Sequence, residues 1–194
     1  MIWTQSYKAD PAARPLADRH YNRHKIGADQ FVPPGRSLVL LAPDALWITS
    51  WPKAEYVRHA WAGCWVNTLF RNEGAGLSSD LIRQAVAATR WYFGDPPAGG
   101  IVSFIDPRHV RRKRDYGRCY RRAGWSHVGF TKDLRLWVLE LRPDAMPPPE
   151  PPRQIQPALF PDALHHPDWK ETPADSGPSI LGSRPGNIDG SGAA

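Results

Sequence analysis

The stretch F-R-N-E-G-A-G-L-S-S-D-L-I-R-Q-A-V, Phe70 to Val86, changes character abruptly: an apolar, strand-like run gives way to two glycines and restarts with helical spacing. Ahead of it, A-G-C-W-V-N-T-L-F (Ala62 to Phe70) is apolar on both parities, which predicts a strand covered on both faces. Beyond it, Leu81, Ile82, Ala85, Val86, Thr89 and Phe93 fall on one helical stripe. Ser78, Ser79 and Asp80 offer N-cap oxygens, and Gly94-Asp95-Pro96-Pro97 ends the run. A strand that turns through Gly74 and Gly76 into a helix N-terminus aims unpaired N–H groups in one direction, where the helix dipole adds partial positive charge. Glycine allows positive φ and leaves no Cβ in the way of a phosphate. The corner is an anion cradle or only a turn, and the context has to decide.

That context is a mixed α/β pattern. S-L-V-L-L-A (Ser37 to Ala42) and A-L-W-I-T-S-W (Ala45 to Trp51) flank Pro43-Asp44 as a hairpin. After the helix, G-I-V-S-F-I-D is a second buried-type strand ending at Asp106-Pro107, and a short helix is expected around Gly117 to Ala123, closed by Gly124. W-S-H-V-G-F-T and L-R-L-W-V-L-E-L flank a turn at Lys132-Asp133 as a final hairpin. The predicted architecture is a mixed, mostly antiparallel sheet of five to seven strands flanked by helices, with a core over 37–142 and an N-terminal segment, 1–36, contributing to the site. From Pro143 the composition turns to M-P-P-P-E-P-P-R and then scattered Pro, Gly and Ser, so 143–194 is expected to be a largely unpacked, disordered tail. Leu159, Phe160 and Trp169 in it are a short docking motif or isolated apolar residues.

Twenty-five Lys and Arg against nineteen Asp and Glu give a formal charge of +6, which favours a polyanionic partner, DNA or a phosphate-bearing cofactor. The charge is concentrated. Arg108, Arg111, Arg112, Lys113, Arg114, Arg118, Arg121 and Arg122 face only Asp115, with Tyr116 and Tyr120 interleaved, a composition suited to sugar-phosphate contact and base stacking, or else to a solvated face. Two cysteines, Cys64 and Cys119, lack CxxC spacing and suit a reducing, cytoplasmic setting. The first thirty or so residues carry charges throughout, without the apolar stretch of a signal peptide, and no run is apolar enough to cross a bilayer, so no membrane association is expected.

Two of these stretches carry a resemblance. Arg71-Asn72-Glu73-Gly74-Ala75-Gly76 resembles the Q/R-x-x-G-x-G/A pyrophosphate loop of the GNAT acyltransferases, and G-R-C-Y-R-R-A-G-W (Gly117 to Trp125) resembles that family's short helix ending in a tyrosine. The resemblance covers roughly Ser37 to Leu141. It implies that Arg71, Asn72, Gly74, Gly76, Ser78 and Ser79 bind a cofactor and that Tyr120 is a general acid; on its own chemistry Tyr120 is equally an amphipathic core residue. Glu73 departs from the pattern, because a carboxylate at the corner opposes pyrophosphate unless it turns away or pairs with Arg71.

A narrower resemblance accommodates it. A-D-R-H-Y-N-R near the start, L-F-R-N-E followed by S-S-D-L-I-R-Q-A, V-S-F-I-D, and G-R-C-Y-R-R-A-G-W are together similar to phage DNA-modification proteins of the Mom type. This implies transfer of a small acyl or carbamoylmethyl-like group to the exocyclic amine of adenine in DNA, which protects the DNA from restriction in the host cytoplasm, with iron in place of a plain acyl-coenzyme A. His20, Tyr21, Arg71, Ser79 and Tyr120 match positions important in that family. Imidazole, phenolate and carboxylate suit an iron site, which nominates His20, Tyr21 and Asp106, though Asp106 before Pro107 is also an ordinary strand-ending residue and the segment around His20 an ordinary solvated arm. The adenine amine shares its lone pair with the ring and needs activation. Glu73, Asp106 or His20 is a candidate base while Tyr120 donates a proton. Reaching a base edge within duplex DNA also requires extrusion of the base. Two readings compete: an acetyl-coenzyme A-dependent N-acetyltransferase on a protein or small amine, and a non-catalytic basic DNA-binding protein.

Overall fold

The computed structural model describes residues 1–52, 57, 60–110 and 115–153. Seven strands, β1 (Thr4–Ser6), β2 (Arg36–Ala42), β3 (Ala45–Trp51), β4 (Trp65–Asn72), β5 (Ile101–Ile105), β6 (Ser126–Phe130) and β7 (Trp137–Leu141), form one open sheet in the order β1-β2-β3-β4-β5-β7-β6. The helices are α1 (Arg14–Asp18), α2 (Ser78–Phe93) and α3 (Arg118–Arg122). Neighbouring strands are antiparallel except β4 and β5, which α2 joins as a parallel crossover.

Strand alternation divides the core. Leu38, Leu40, Trp47 and Trp65 bury against Leu81, Ile82, Ala85 and Val86 of α2, while Val39, Leu46 and Ile48, one residue out of phase, bury against Leu16 and Ala17 of α1. The apolar stripe of α2 is therefore its packing face, and each large side chain there contributes about 1.5–3 kcal/mol.

The two central strands part company. β4 and β5 pair only at Trp65↔Ile101, Val66↔Val102 and Asn67↔Ser103, although β4 continues to Asn72 and β5 to Ile105. On the other side of β4 the register shifts from Ile48↔Leu69 to Thr49↔Asn67, so Thr68 is an extra, bulged residue. The Asn67 amide staples this bulge, with Nδ2 donating to the carbonyls of Ile48 and Leu69, each at 3.0 Å. A bulge on one side and lost pairing on the other open a wedge beyond Asn67.

Both ends of the predicted core are extended by packed segments. The N-terminal segment is integral to the sheet: β1 pairs with β2, and Trp3 is wholly buried, its indole N–H donating to Leu81 O at 2.9 Å. The opening of the predicted tail is also packed. Met146 is buried, Arg90 donates to Pro147 O at 2.7 Å, and the amides of Glu150 and Arg153 reach Ala87 O and Trp3 O. Extended Pro-rich backbone makes no hydrogen bonds within itself, and α2 and Trp3 supply partners for its amides and for the Pro147 carbonyl. Residues 154–194, with Leu159, Phe160 and Trp169, lie outside the described residues. No helix among the described residues is long and apolar enough to cross a membrane.

Candidate functional site

The wedge is a cleft of about 870 Å³, and it joins the glycine corner to the short helix. Arg71, Asn72, Gly76, Ser78 and Ser79 line one side; Tyr120, Arg118 and Arg122 line another, together with His20 and Tyr21 from the N-terminal segment. Asn67 and Ser103 form its apex.

At the apex, Tyr120 Oη donates to Asn67 Oδ1 at 2.6 Å and Ser103 Oγ donates to the same oxygen at 3.2 Å. With Nδ2 engaged on both its hydrogens, the Asn67 amide is fully satisfied and locked in orientation. Burial holds the Tyr120 phenol well above its usual range, so it keeps its proton at neutral pH. Sequence reasoning missed Asn67 and Ser103, although the signal was there: each is a polar residue inside an otherwise apolar strand.

The corner follows from its own side chains. Gly74 and Gly76 adopt φ of 138° and 141°, with nothing within 4 Å of a Cβ at either, so backbone conformation rather than crowding demands glycine. Asn72 fills the turn from inside: Oδ1 accepts from the amides of Gly74 at 3.1 Å and Ala75 at 3.0 Å, while Nδ2 donates to Gly76 O and Ser78 Oγ, each at 2.8 Å. The serines do not cap α2 as expected. Its N-cap is Leu77, without a side-chain cap, and Ser78, the first helical residue, accepts from Asn72.

Glu73 turns away from the cleft. Its carboxylate takes a fork from Arg19, Nε to Oε1 at 2.8 Å and Nη2 to Oε2 at 2.6 Å, and also pairs with Arg71, whose guanidinium reaches Arg19 O. Hydrogen bonds from Arg19, then Arg71, lower its pKa to about 2. The departure at the corner is thus a clamp that fastens the arm carrying His20 and Tyr21 to the glycine turn. As a base Glu73 is a correction: it is not among the cleft-lining residues, and both its oxygens hold guanidinium groups.

Asp106 requires the same correction. Arg108 donates to both carboxylate oxygens, at 2.9 Å and 2.6 Å, and His109 Nδ1 lies 3.0 Å from Oδ2, so the group is held ionised well below the usual carboxylate range. It stabilises the loop after β5, and its backbone N–H points to Tyr21 Oη at 3.4 Å. Tyr21 is sandwiched between imidazoles, with ring centroids 4.5 Å from His20 and 5.2 Å from His109; burial raises its phenol. His20 Nδ1 accepts from the Asn22 amide at 3.2 Å, and desolvation followed by the Arg71 charge lowers its pKa to about 4. His20 is therefore neutral at pH 7, with the ring hydrogen on Nε2 and its one lone pair, at Nδ1, facing the Asn22 amide.

His20, Tyr21 and Asp106 do not fit iron as they stand. The Asp106 oxygens are committed to Arg108 and His109, and His20 Nδ1 to Asn22. Among the described residues no group of three His, Cys, Asp or Glu is arranged to hold a metal ion. Of the expected DNA contacts, Arg118 and Arg122 reach the cleft, Arg121 pairs with Asp115, and Arg108 is held by Asp106. Arg111, Arg112, Lys113 and Arg114 lie outside the described residues. Comparison with protein-family models, curated proteins and solved structures finds no match.

Proposed function

We propose that the cleft is the active site of a GNAT-like transferase that adds a small acyl or carbamoylmethyl-like group to the exocyclic amine of adenine in DNA, in the manner of Mom-type modification proteins. The observation that carries this reading is the convergence of Arg71, His20, Tyr21 and Tyr120 on one hollow where the parallel strands diverge. The strand order and the glycine corner leading into α2 support the GNAT-like part.

The chemistry assigns each group a task. The amine nitrogen attacks the electrophilic carbon of the donor as the bond from that carbon to the leaving group breaks. Once bonded to that carbon the nitrogen is acidic, and neutral His20 accepts its proton on Nδ1 as that lone pair turns from the Asn22 amide. Tyr120 rotates its hydroxyl hydrogen from Asn67 to the departing atom, and Ser103 remains to satisfy Asn67. Arg118 and Arg122 at the rim suit the sugar-phosphate backbone.

Acetyl-coenzyme A as the donor is favoured by the same corner. It meets one obstacle: two amides that a pyrophosphate would use are occupied by Asn72 Oδ1. Mass spectrometry of nucleosides from DNA of cells expressing the protein tests the proposal. Added mass on deoxyadenosine, absent with Tyr120→Phe, supports it; unmodified DNA from cells rich in folded protein overturns it. Thermal stabilisation by acetyl-coenzyme A with unmodified DNA would favour the second reading.

A further inference from the structure

The hairpin β6–β7 carries an aromatic patch that the proposed chemistry does not use. Ring centroids of His127 and Trp137 are 4.3 Å apart, His127 and Phe130 5.0 Å, Phe130 and Trp137 5.7 Å, and Tyr116 and Trp137 5.4 Å. Residues three apart on a regular strand face opposite ways. Here the register shifts between His127 and Gly129, from His127↔Leu139 to Gly129↔Val138, and the bulge brings His127 and Phe130 to the same face as Trp137. β6 is an edge strand of the sheet, and on this face His127 is exposed and Phe130 is 40 % exposed.

The patch adjoins the cleft. Trp137 pairs with Ile105, a cleft-lining residue, and Tyr116 lies between Asp115 and Gly117, which also line it. Charge accompanies the rings: the Arg135 guanidinium stands 4.8 Å from the Phe130 centroid, and Arg118 is exposed at the cleft. Aromatic faces interleaved with guanidinium groups complement unpaired nucleobases on a polyanionic strand better than an aliphatic protein surface.

We propose that the His127–Phe130–Trp137 face binds single-stranded DNA by stacking bases next to the one held in the cleft. The choice of DNA rests on the proposed activity, since extruding a base leaves neighbours unstacked.

Fluorescence anisotropy with a labelled oligo-dT of about 15 nucleotides tests this, with wild type, Phe130→Ala, His127→Ala and Phe130→Trp compared over a salt series. Stacking predicts that each alanine variant loses ~5- to 150-fold in affinity, that the salt slope is unchanged, and that Phe130→Trp retains binding. Unchanged affinity in variants with wild-type circular dichroism overturns the inference. So does a loss accompanied by a flattened salt slope, which would assign the face to phosphate contact, or a patch-dependent dimer in sedimentation without DNA affinity. The two proposals fail separately: patch-dependent binding without modified nucleosides leaves this inference standing, whereas modified nucleosides with patch-independent binding leave only the activity.

Discussion

Asn67 and Ser103 face each other on the last rung that β4 and β5 share, and the Ser103 hydroxyl donates to Asn67 Oδ1 at 3.2 Å. The same oxygen accepts from Tyr120, so the point where the sheet opens is also the point that positions the acid. Asn67→Ala removes the acceptor shared by the Tyr120 and Ser103 hydroxyls together with the two Nδ2 bonds that staple the bulge, at a cost of at least about 1–3 kcal/mol. Chemical denaturation should show a lower midpoint with an unchanged m-value, and nucleoside modification should fall even where the variant is folded. Wild-type stability would mean that the hydrogen bonds of Asn67 together contribute nothing net.

Glu73 tests the clamp between the arm and the corner. Its folded pKa, about 2, lies below the ordinary value of 4.5. A depressed carboxylate contributes stability that is present above the unfolded pKa and is lost as pH falls through the folded one. The stability gap between wild type and Glu73→Gln should therefore be constant above about pH 5, narrow below it and close near pH 2. Because Arg19 precedes His20, the variant should also raise protease sensitivity near 19–23. A gap independent of pH would remove the carboxylate charge from the clamp.

How much of this was legible beforehand depends on the length scale of each signal. Helix α2 and strands β2, β3 and β5 announce themselves by periodic apolar residues, because each buries a whole face. β1 and α1, at three and five residues, are too short for periodicity and take their stability from Trp3, Leu16 and Ala17 packing elsewhere. Tyr120 and Arg71 were found through local motifs. Asn67 and Ser103 stood out as polar residues in apolar strands, but a parallel pairing across α2 fixes their register, and that information is not local. A carboxylate's availability depends on which guanidinium reaches it: for Glu73 the fork comes from Arg19, far away in the chain, whereas for Asp106 it comes from Arg108, two residues on, a pairing that is local.

His20 should titrate far from an ordinary imidazole. Its pKa, lowered to about 4 from 6.5, means the folded state stays neutral while the unfolded chain protonates, so stability is lost as pH falls from 6.5 toward 4. The ring resonance of His20 in a two-dimensional spectrum should be flat between pH 8 and 5.5 and move only near 4. Arg71→Met should raise that midpoint, since the guanidinium is its second cause, but not restore 6.5, because desolvation remains. A midpoint near 6.5 in wild type would place the imidazole in water.

The glycine corner makes a cleaner backbone prediction. With φ of 138° and 141° and open space around each Cβ, Gly74→Ala and Gly76→Ala add strain without a clash. Each should cost ~1 kcal/mol or more, and D-alanine introduced by ligation should cost less than L-alanine. Equal cost for both enantiomers would point to sterics instead.

Arg118 and Arg122 decide whether the rim of the cleft touches phosphate. Both line the cleft, and neither lies in the segment around Arg111 that falls outside the described residues. Each phosphate contact contributes about 0.9 to the slope of log affinity against log salt on duplex DNA. Arg118→Gln with Arg122→Gln should therefore flatten the slope by up to about 2 while lowering affinity similarly for all sequences. The Arg122 carbonyl, which Arg83 holds, is unaffected by a side-chain change, so α3 should keep its place against α2. An unchanged slope in the double variant would move the DNA backbone off this rim, and the basic charge of the chain would have to meet it elsewhere.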